Sequence, residues 1–206
     1  LVSKFHDGII LMAPTLVSED YEKILKKTAA FPIVSIAPVD GNIFPTITFD
    51  SYEGGRLAGE TLIQSGFKEF GIVTGPLIKW EANLRKNGFN DALRKKGYEI
   101  SWEYQGDYSF KSGETAYGNI SKKGLTKLGI FSSNDQMALG FLHTALENGN
   151  RIPGDFGVIG YDNMPYSKVF YPKLSTIGTD LDVLAETTLD SLRTRVKNEK
   201  TKKQNS

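Results

Sequence analysis

Short apolar runs of strand length constrain the fold of this 206-residue chain more than any other feature of its sequence. The runs are near-continuous rather than alternating, as expected for strands that are buried on both faces of a parallel sheet. They lie at residues 8–12, 32–36, 47–49, 70–73, 129–131 and 157–160. Because segments of helical pattern lie between most of them, the sequence predicts βαβ units and an α/β protein whose parallel sheets are covered by helices.

The helical segments carry their own end signals. In the first of them, Asp20 and Glu22 lie in the early turns and Lys26 and Lys27 lie late, which suits the helix dipole. Each of the four middle segments is followed closely by glycine, the residue that most readily adopts the left-handed conformation at which helices stop. Helices are therefore predicted at residues 18–30, 53–64, 84–96, 112–123, 135–148 and 181–197.

The composition excludes several classes of protein. Lys and Arg number 25 and Asp and Glu number 24, and the resulting net charge of +1 argues against binding a polyanion over a broad face. The absence of cysteine excludes a disulfide scaffold and a thiolate metal site, and it fits a cytoplasmic location. His6 and His143 lack ligand spacing, so no metal site is predicted. No apolar run approaches the ~18–20 residues that span a bilayer, so no membrane association is predicted.

Motifs of enzymes are also missing from the sequence. The glycine-rich stretch at residues 53–59 matches neither the phosphate-binding loop nor the dinucleotide motif, and close helix packing explains its glycines better. Ser132 and Ser133 lack the G-x-S-x-G context of a hydrolase. The sequence therefore predicts no enzyme activity and no cofactor.

Polar and aromatic side chains follow several of the predicted strands, at the point where each strand ends. Open parallel sheets bind ligands at the carboxyl ends of their strands, so these side chains are expected to converge on one edge. Amide, carboxylate and guanidinium groups bond hydroxyls, and an aromatic face covers the apolar side of a ring, which together suit a polyhydroxylated ligand. The candidates are Trp80, Arg85, Tyr108, Asn134 and Asp162.

Each candidate also has a purely structural interpretation. Asp135 is expected to cap the helix that begins beside it, whereas Asn134 is expected to contact the ligand. Asp162 could alternatively be a turn residue, and Arg85 could be a solvated charge on a helix. Ligand contact is favoured for both residues. For the two aromatic candidates, packing in the core or at a rim stays open.

The segment "SSNDQMALGFLHTALENGNRIPGDFGVIGYDN" at residues 132–163 closely resembles the signature of the lactose/galactose-repressor family of bacterial transcription regulators. The segments "GGRLAGETLIQSGFKEFGIVTG" and "LRKNGFNDALRKKGY" resemble middle segments of the same family. An earlier segment, "HDGIILMAP", and a later one, "YPKLSTIGTD", resemble it as well. The resemblance covers nearly the whole chain, with the motifs in order and at the expected spacing.

This resemblance implies a periplasmic-binding-protein-like fold of two doubly wound parallel-sheet lobes with an effector cleft between them. It implies a first lobe at residues 1–69, a second lobe at residues 70–178, and a crossover helix with a polar tail at residues 179–206 that returns to the first lobe. The family's helix-turn-helix DNA-binding domain and the first strand and helix of the first lobe are absent from the sequence. The first lobe is therefore expected to be incomplete and the sequence to be a piece of a larger protein.

The resemblance also implies roles for the five candidates. Asn134, Asp162 and Arg85 occupy effector-contacting positions. Tyr108 matches an aromatic position that lines the same cleft, and Trp80 lies in a variable rim that tunes specificity. The chain departs from the family after "PIVSI", where many members place a ligand-contacting Asp or Arg and this chain has Ala37 followed by proline.

Two functions fit these features. The first is the effector-binding and dimerisation domain of a cytoplasmic transcription regulator, expected to be a repressor. It would form a homodimer, bind a sugar or a related small molecule, and reach operator DNA through a domain outside this sequence. The second is a secreted sugar-binding protein of a transporter built on the same fold. The stretch "NGNRIPGDFGVIGYDN" favours the regulator, because members of the repressor family carry R-I-P-x-D there.

Overall fold

The computed structural model describes residues 6–13, 18–28, 31–37, 43–125 and 127–204. Contacts between residues divide the chain into two compact units, which are Leu1–Phe49 with Asp180–Ser206, and Asp50–Thr179. The lobe boundary predicted after residue 69 falls inside the second unit, because the helix before that point packs there. The lobe assignment itself stays a prediction. The proline after Ala37 lies outside the described residues.

The first unit contains a small parallel sheet of β1 (Ile9–Leu11) and β2 (Ile33–Ser35). Helix α1 (Ser18–Thr28) contributes the buried Tyr21, whose ring lies edge-on to Phe44 at 6.1 Å between centroids. The last helix, α6 (Leu181–Gln204), packs on both strands. This unit therefore has its own small core.

The strand predicted at residues 47–49 is wrong. Ser35 N donates to Pro45 O at 2.8 Å and Ile47 N donates to Ser35 O at 2.9 Å, which makes a single bridge between Ser35 and Thr46. The pairing ends there because the chain enters a helix almost at once. Asp50 already caps that helix, its carboxylate accepting from Glu53 N at 2.9 Å.

The second unit is built on a five-stranded parallel sheet in the order β4-β3-β5-β6-β7. The apolar runs predicted at residues 70–73, 129–131 and 157–160 lie within three of its strands, which confirms them. The order reverses direction at β3, since β4 lies on one side of it and β5 on the other, and ligands bind such sheets at this switch point. The strands are β3 (Glu69–Thr74), β4 (Ile100–Gln105), β5 (Leu128–Ser132), β6 (Phe156–Tyr161) and β7 (Ser175–Ile177).

Helices cover both faces of this sheet, as the alternating pattern predicted. One pair packs over a cluster that includes Phe70, Ile72 and Phe131, and the other pair packs over a cluster that includes Trp102 and Phe141. Four helices of the unit are followed by glycines with positive φ, which confirms the predicted left-handed stops. The helices are α2 (Ser51–Gln64) with α3 (Trp80–Arg94), and α4 (Phe110–Lys122) with α5 (Asp135–Glu147).

Helices α2 and α3 approach so closely that their backbones touch. A Cβ added at Gly55 would overlap the carbonyl oxygen of Arg85, and a Cβ added at Gly88 would overlap that of Tyr52. The prediction that close helix packing explains the glycines of α2 is confirmed. Gly55 therefore helps to fix the position of Arg85 on α3.

We expect Gly55→Ala to push α3 away from α2 and to lower the free energy of unfolding by about 1–3 kcal/mol, because the methyl group overfills a closed contact. Urea denaturation would measure the change. Gly118→Ala is the matched control, since a Cβ at this position in α4 meets no atom within 4 Å. The control should raise stability by roughly 0.5–1 kcal/mol through helix propensity. Equal effects of the two substitutions would contradict the close-packing explanation.

Candidate functional site

Arg85, in the second turn of α3, is held at the carboxyl end of the sheet by two contacts. Its guanidinium carbon lies 3.7 Å from the ring centroid of Tyr161, the last residue of β6. Its Nη1 donates to the carbonyl oxygen of Ser133 at 2.6 Å, directly after β5. The Nε atom of Arg85 is buried and has no hydrogen-bond partner among the described residues. This cation therefore spans the ends of two strands and keeps one donor unused.

Asp162 follows β6 directly and has an unusual backbone. Its φ is 105°, in the left-handed region that non-glycine residues rarely adopt, and its N–H donates to Ile177 O at 3.0 Å. Burial raises the pKa of its carboxyl group to about 6, Arg85 opposes that shift, and Asp135 adds to it. Asp162 is thus partly buried from solvent and close enough to Arg85 to interact with it electrostatically.

Tyr108, in the loop between β4 and α4, reaches the same place. Its φ is 71°, and its ring lies so close to Gly75 that a Cβ there would overlap it. The hydroxyl is buried without a hydrogen-bond partner among the described residues. Burial raises the pKa of Tyr108 to about 12; Arg85 lowers it, while Glu81 and Asp162 raise it further. Strained non-glycine residues gather at functional sites, so the conformations of Tyr108 and Asp162 support a binding role.

Asn134, rather than Asp135, caps the helix that begins beside them. Asn134 is the N-cap of α5, with its Oδ1 accepting from Met137 N at 2.9 Å and its Nδ2 donating to the carbonyl oxygen of Tyr108 at 2.9 Å. The expectation that Asp135 is the cap is wrong. A ligand contact by Asn134 stays a prediction, and the structure adds a bond from this side chain to the Tyr108 loop.

Asp135 is instead a buried centre of hydrogen bonding. Its Oδ2 accepts from Met164 N at 2.8 Å and from the hydroxyl of Ser167 at 2.5 Å. Its Oδ1 accepts from the hydroxyl of Thr176 at 2.6 Å. These bonds tie the start of α5 to β7 and to the segment after Asp162, so Asp135 supports the site without being exposed to it.

Trp80 is the most exposed of the five candidates. It is the first residue of α3, and 57% of it is exposed to solvent. Its proposed role at a specificity-tuning rim stays a prediction. The sequence reasoning also missed Thr74, Tyr161 and Ser133 as members of the site. The available signal was their position, because each lies at or directly after the last residue of a buried strand.

A cavity of about 440 Å³ lies at the other end of the strands. The cavity has a mainly apolar lining. Most of its lining residues precede β3, β6 or β7 or lie in the first half of β6. Examples are Phe67, Ile152, Pro153, Pro172 and Leu174. We assign the candidate site to the carboxyl ends instead, because the charged, strained and unpaired groups lie there.

The fold and this site together define a class of protein. A parallel α/β sheet that presents a guanidinium, a carboxylate and an aromatic hydroxyl at the carboxyl ends of its strands is typical of a domain that binds a small polar molecule. A family model for the periplasmic binding protein-like domain matches residues 60–206. The chain therefore belongs to the periplasmic binding protein-like family.

Relatives place the chain more narrowly within that family. The HTH-type transcriptional repressor PurR of Mannheimia succiniciproducens is 33% identical over 208 residues, which cover 99% of this chain and 62% of that protein. The chain thus spans about three fifths of the length of the curated relatives it matches. The resemblance to the lactose/galactose-repressor family is confirmed.

Solved structures agree with this assignment. A dimeric Lac repressor with an 11-residue C-terminal deletion superposes with a TM-score of 0.83 at 28% identity, covering 93% of this chain and 70% of that one. The transcription regulator CcpA of Lactococcus lactis gives a TM-score of 0.81 at 25% identity, with 93% and 70% covered. The predicted periplasmic-binding-protein-like fold is confirmed. Within the described residues, no helix is both long and apolar enough to cross a membrane.

Proposed function

We propose that this chain is the effector-binding and dimerisation domain of a cytoplasmic transcriptional repressor, and that it has no enzymatic activity of its own. Operator DNA would be bound by another part of the protein, as the HTH-type relatives suggest. These relatives favour a regulator over the secreted sugar-binding protein. An effector can shift operator binding only if it binds two conformations of the protein with different affinity.

The observation that carries this proposal is the grouping of Arg85, Tyr108 and Asp162 at the carboxyl ends of the strands. A guanidinium that donates and a carboxylate that accepts, held within electrostatic reach of each other, complement the neighbouring hydroxyls of a sugar. The ring of Tyr108 offers a face for the apolar side of such a molecule. A mono- or disaccharide is the effector class that we propose.

Homodimerisation is part of the same proposal. A solved structural relative is a dimeric repressor. In this chain, Val169 and Tyr171 are 82% and 91% exposed, as large apolar side chains at a subunit interface would be in an isolated chain. Sedimentation would measure the oligomeric state.

A thermal-shift screen of neutral sugars tests the proposed effector class. We expect at least one sugar to raise the unfolding temperature, since a ligand at one hundred times its Kd stabilises the folded state by about 2.7 kcal/mol. Asp162→Ala should abolish that shift because it removes the acceptor of the site. Asp91→Asn is the control, since Asp91 is exposed on α3 and its carboxylate accepts only from the hydroxyl of Tyr52 among the hydrogen bonds described. A sugar that stabilises the Asp162 variant as well as the parent would contradict the site assignment.

A further inference from the structure

Two buried hydroxyl groups at the candidate site have no hydrogen-bond partner among the described residues. They belong to Thr74 and Ser133, and each of these residues is 0% exposed. The only other buried side-chain atoms without a partner in the described part of the chain are Arg85 Nε and Tyr108 OH. Buried polar groups are nearly always paired, so four unpaired atoms contributed by one site require an explanation.

Thr74 and Ser133 lie side by side on one face of the sheet. Val73 of β3 is paired in register with Ser132 of β5, so the next residues along the two strands are also neighbours. Side chains alternate between faces along a strand, which puts Thr74 on the same face as Ile72 and puts Ser133 on the same face as Phe131. That face is the one covered by α2 and α3.

Arg85 and Tyr108 reach the same position from two other segments. The side chain of Arg85 extends from α3, and its Nη1 donates a hydrogen bond to the backbone carbonyl of Ser133. The ring of Tyr108 packs on Gly75, the residue that follows Thr74. Tyr108 belongs to the cluster on the α4–α5 face, and its hydroxyl lies within electrostatic reach of Arg85 at the end of the sheet. We term Thr74, Arg85 and Ser133, together with this hydroxyl, the inner subsite at the switch point between β3 and β5.

We infer that the inner subsite receives one neutral oxygen of the effector, and that Thr74 and Ser133 are specificity-determining residues. This inference rests on the proposed sugar-binding function. Arg85 Nε can only donate a hydrogen bond, so the ligand atom that meets it must be an acceptor. The three hydroxyls both donate and accept, so they complement a sugar hydroxyl, whose oxygen accepts and whose proton is donated.

The charges around the inner subsite favour a neutral oxygen over an anionic one. Arg85 supplies a positive charge, and Asp162 lies close enough to interact with it electrostatically. Glu81 adds negative charge near Tyr108. A phosphate or carboxylate of the ligand would compete with Asp162 for the same cation while losing its own hydration. A hydroxyl leaves the electrostatic interaction of Arg85 with Asp162 in place and bonds the polar groups that are unpaired.

Binding of neutral sugars and of their phosphate monoesters to the full chain tests this inference. Thr74→Val and Ser133→Ala each remove one hydroxyl with little change of shape. We expect each to raise the Kd of the best-binding neutral sugar by about ten-fold, which corresponds to the loss of one buried hydrogen bond. The unfolding temperature without ligand should stay equal or rise, because an unpaired buried hydroxyl has been removed. Thr115→Val, on the exposed face of α4, should change neither quantity.

The outcomes separate this inference from the proposed function. If Asp162→Ala abolishes sugar binding while Thr74→Val and Ser133→Ala bind as the parent does, the site stands and the inner subsite is wrong. A lower unfolding temperature of both variants without ligand would also overturn the inference, since it would mean that their hydroxyls bond within the protein. Tighter binding of a sugar phosphate than of its neutral sugar would overturn the assignment of a neutral oxygen. If no neutral sugar binds the parent, the proposed function fails and the inference fails with it.

Discussion

Asp135→Ala is expected to lower the free energy of unfolding by about 3–5 kcal/mol, because it breaks three hydrogen bonds to a buried carboxylate at once. The substitution removes the carboxylate that accepts from Met164 N–H and from the hydroxyls of Ser167 and Thr176. All three lie in the segment that includes β7 and the residues after Asp162. We therefore expect that segment to loosen before the rest of the second unit, and hydrogen exchange of its amides would detect this.

Asp91→Ala is the matched control for this experiment. Asp91 is an aspartate of the same unit that accepts a hydrogen bond from the hydroxyl of Tyr52 at 2.9 Å in an exposed position. Its loss should cost less than about 1 kcal/mol, as for other exposed polar contacts. If Asp135→Ala were no more destabilising than this control, Asp135 would not be the structural centre that its contacts indicate.

Asp162→Asn is expected to stabilise the protein at neutral pH while it impairs sugar binding. Burial raises the pKa of Asp162 from 3.8 to about 6, so the folded state holds this proton more tightly than the unfolded chain does. The stability of the parent should therefore fall as the pH rises from about 4 to about 6, and stay lower above that range. The variant lacks this decline and should be more stable near neutral pH by about 1–2 kcal/mol, a value reduced for the partial exposure of the group.

Urea denaturation across that pH range measures the effect, and Asp155→Asn gives a control of opposite sign. Hydrogen bonds from Arg151 lower the pKa of Asp155 to about 2. Its contribution to stability is present above the ordinary carboxyl pKa and is lost as the pH falls toward 2. Removing Asp155 should therefore flatten the acid side of the stability profile. A parent whose stability does not decline between pH 4 and 6 would contradict the environment assigned to Asp162.

The sheet of the second unit could be predicted from the sequence because its central strands are apolar on both faces. β3, β5 and β6 have that pattern, and the helices between them end at glycines. β7 was not predicted, since its three residues, Ser175 to Ile177, carry no distinct pattern and owe their conformation to pairing with β6. The apolar residues 47–49 gave a false strand, because local pattern does not reveal that a helix cap follows at Asp50.

The site could be predicted in part for a similar reason. Ligands bind parallel sheets at the carboxyl ends of the strands, and the family resemblance indicates the same positions. The structure brings together three residues that follow strands, Arg85, Tyr108 and Asp162. The roles of Asn134 and Asp135 could not be assigned from sequence, because either side chain can cap a helix. The carboxylate of Asp135 accepts hydrogen bonds from residues 29 to 41 positions further along the chain, and it is therefore Asn134 that caps the helix. The unpaired hydroxyls of Thr74 and Ser133 likewise emerge only when strand register is known.

A single amide, that of Asn134, links the backbone of an aromatic residue of the site to a helix of the scaffold. Its oxygen holds the first turn of α5 and its nitrogen holds the backbone of Tyr108. Since one rigid planar group makes both bonds, Tyr108 cannot shift without pulling on α5 or giving up a bond. A guest that moves the backbone at Tyr108 must therefore either break this bond or move the first turn of α5, which couples occupancy of the site to that helix.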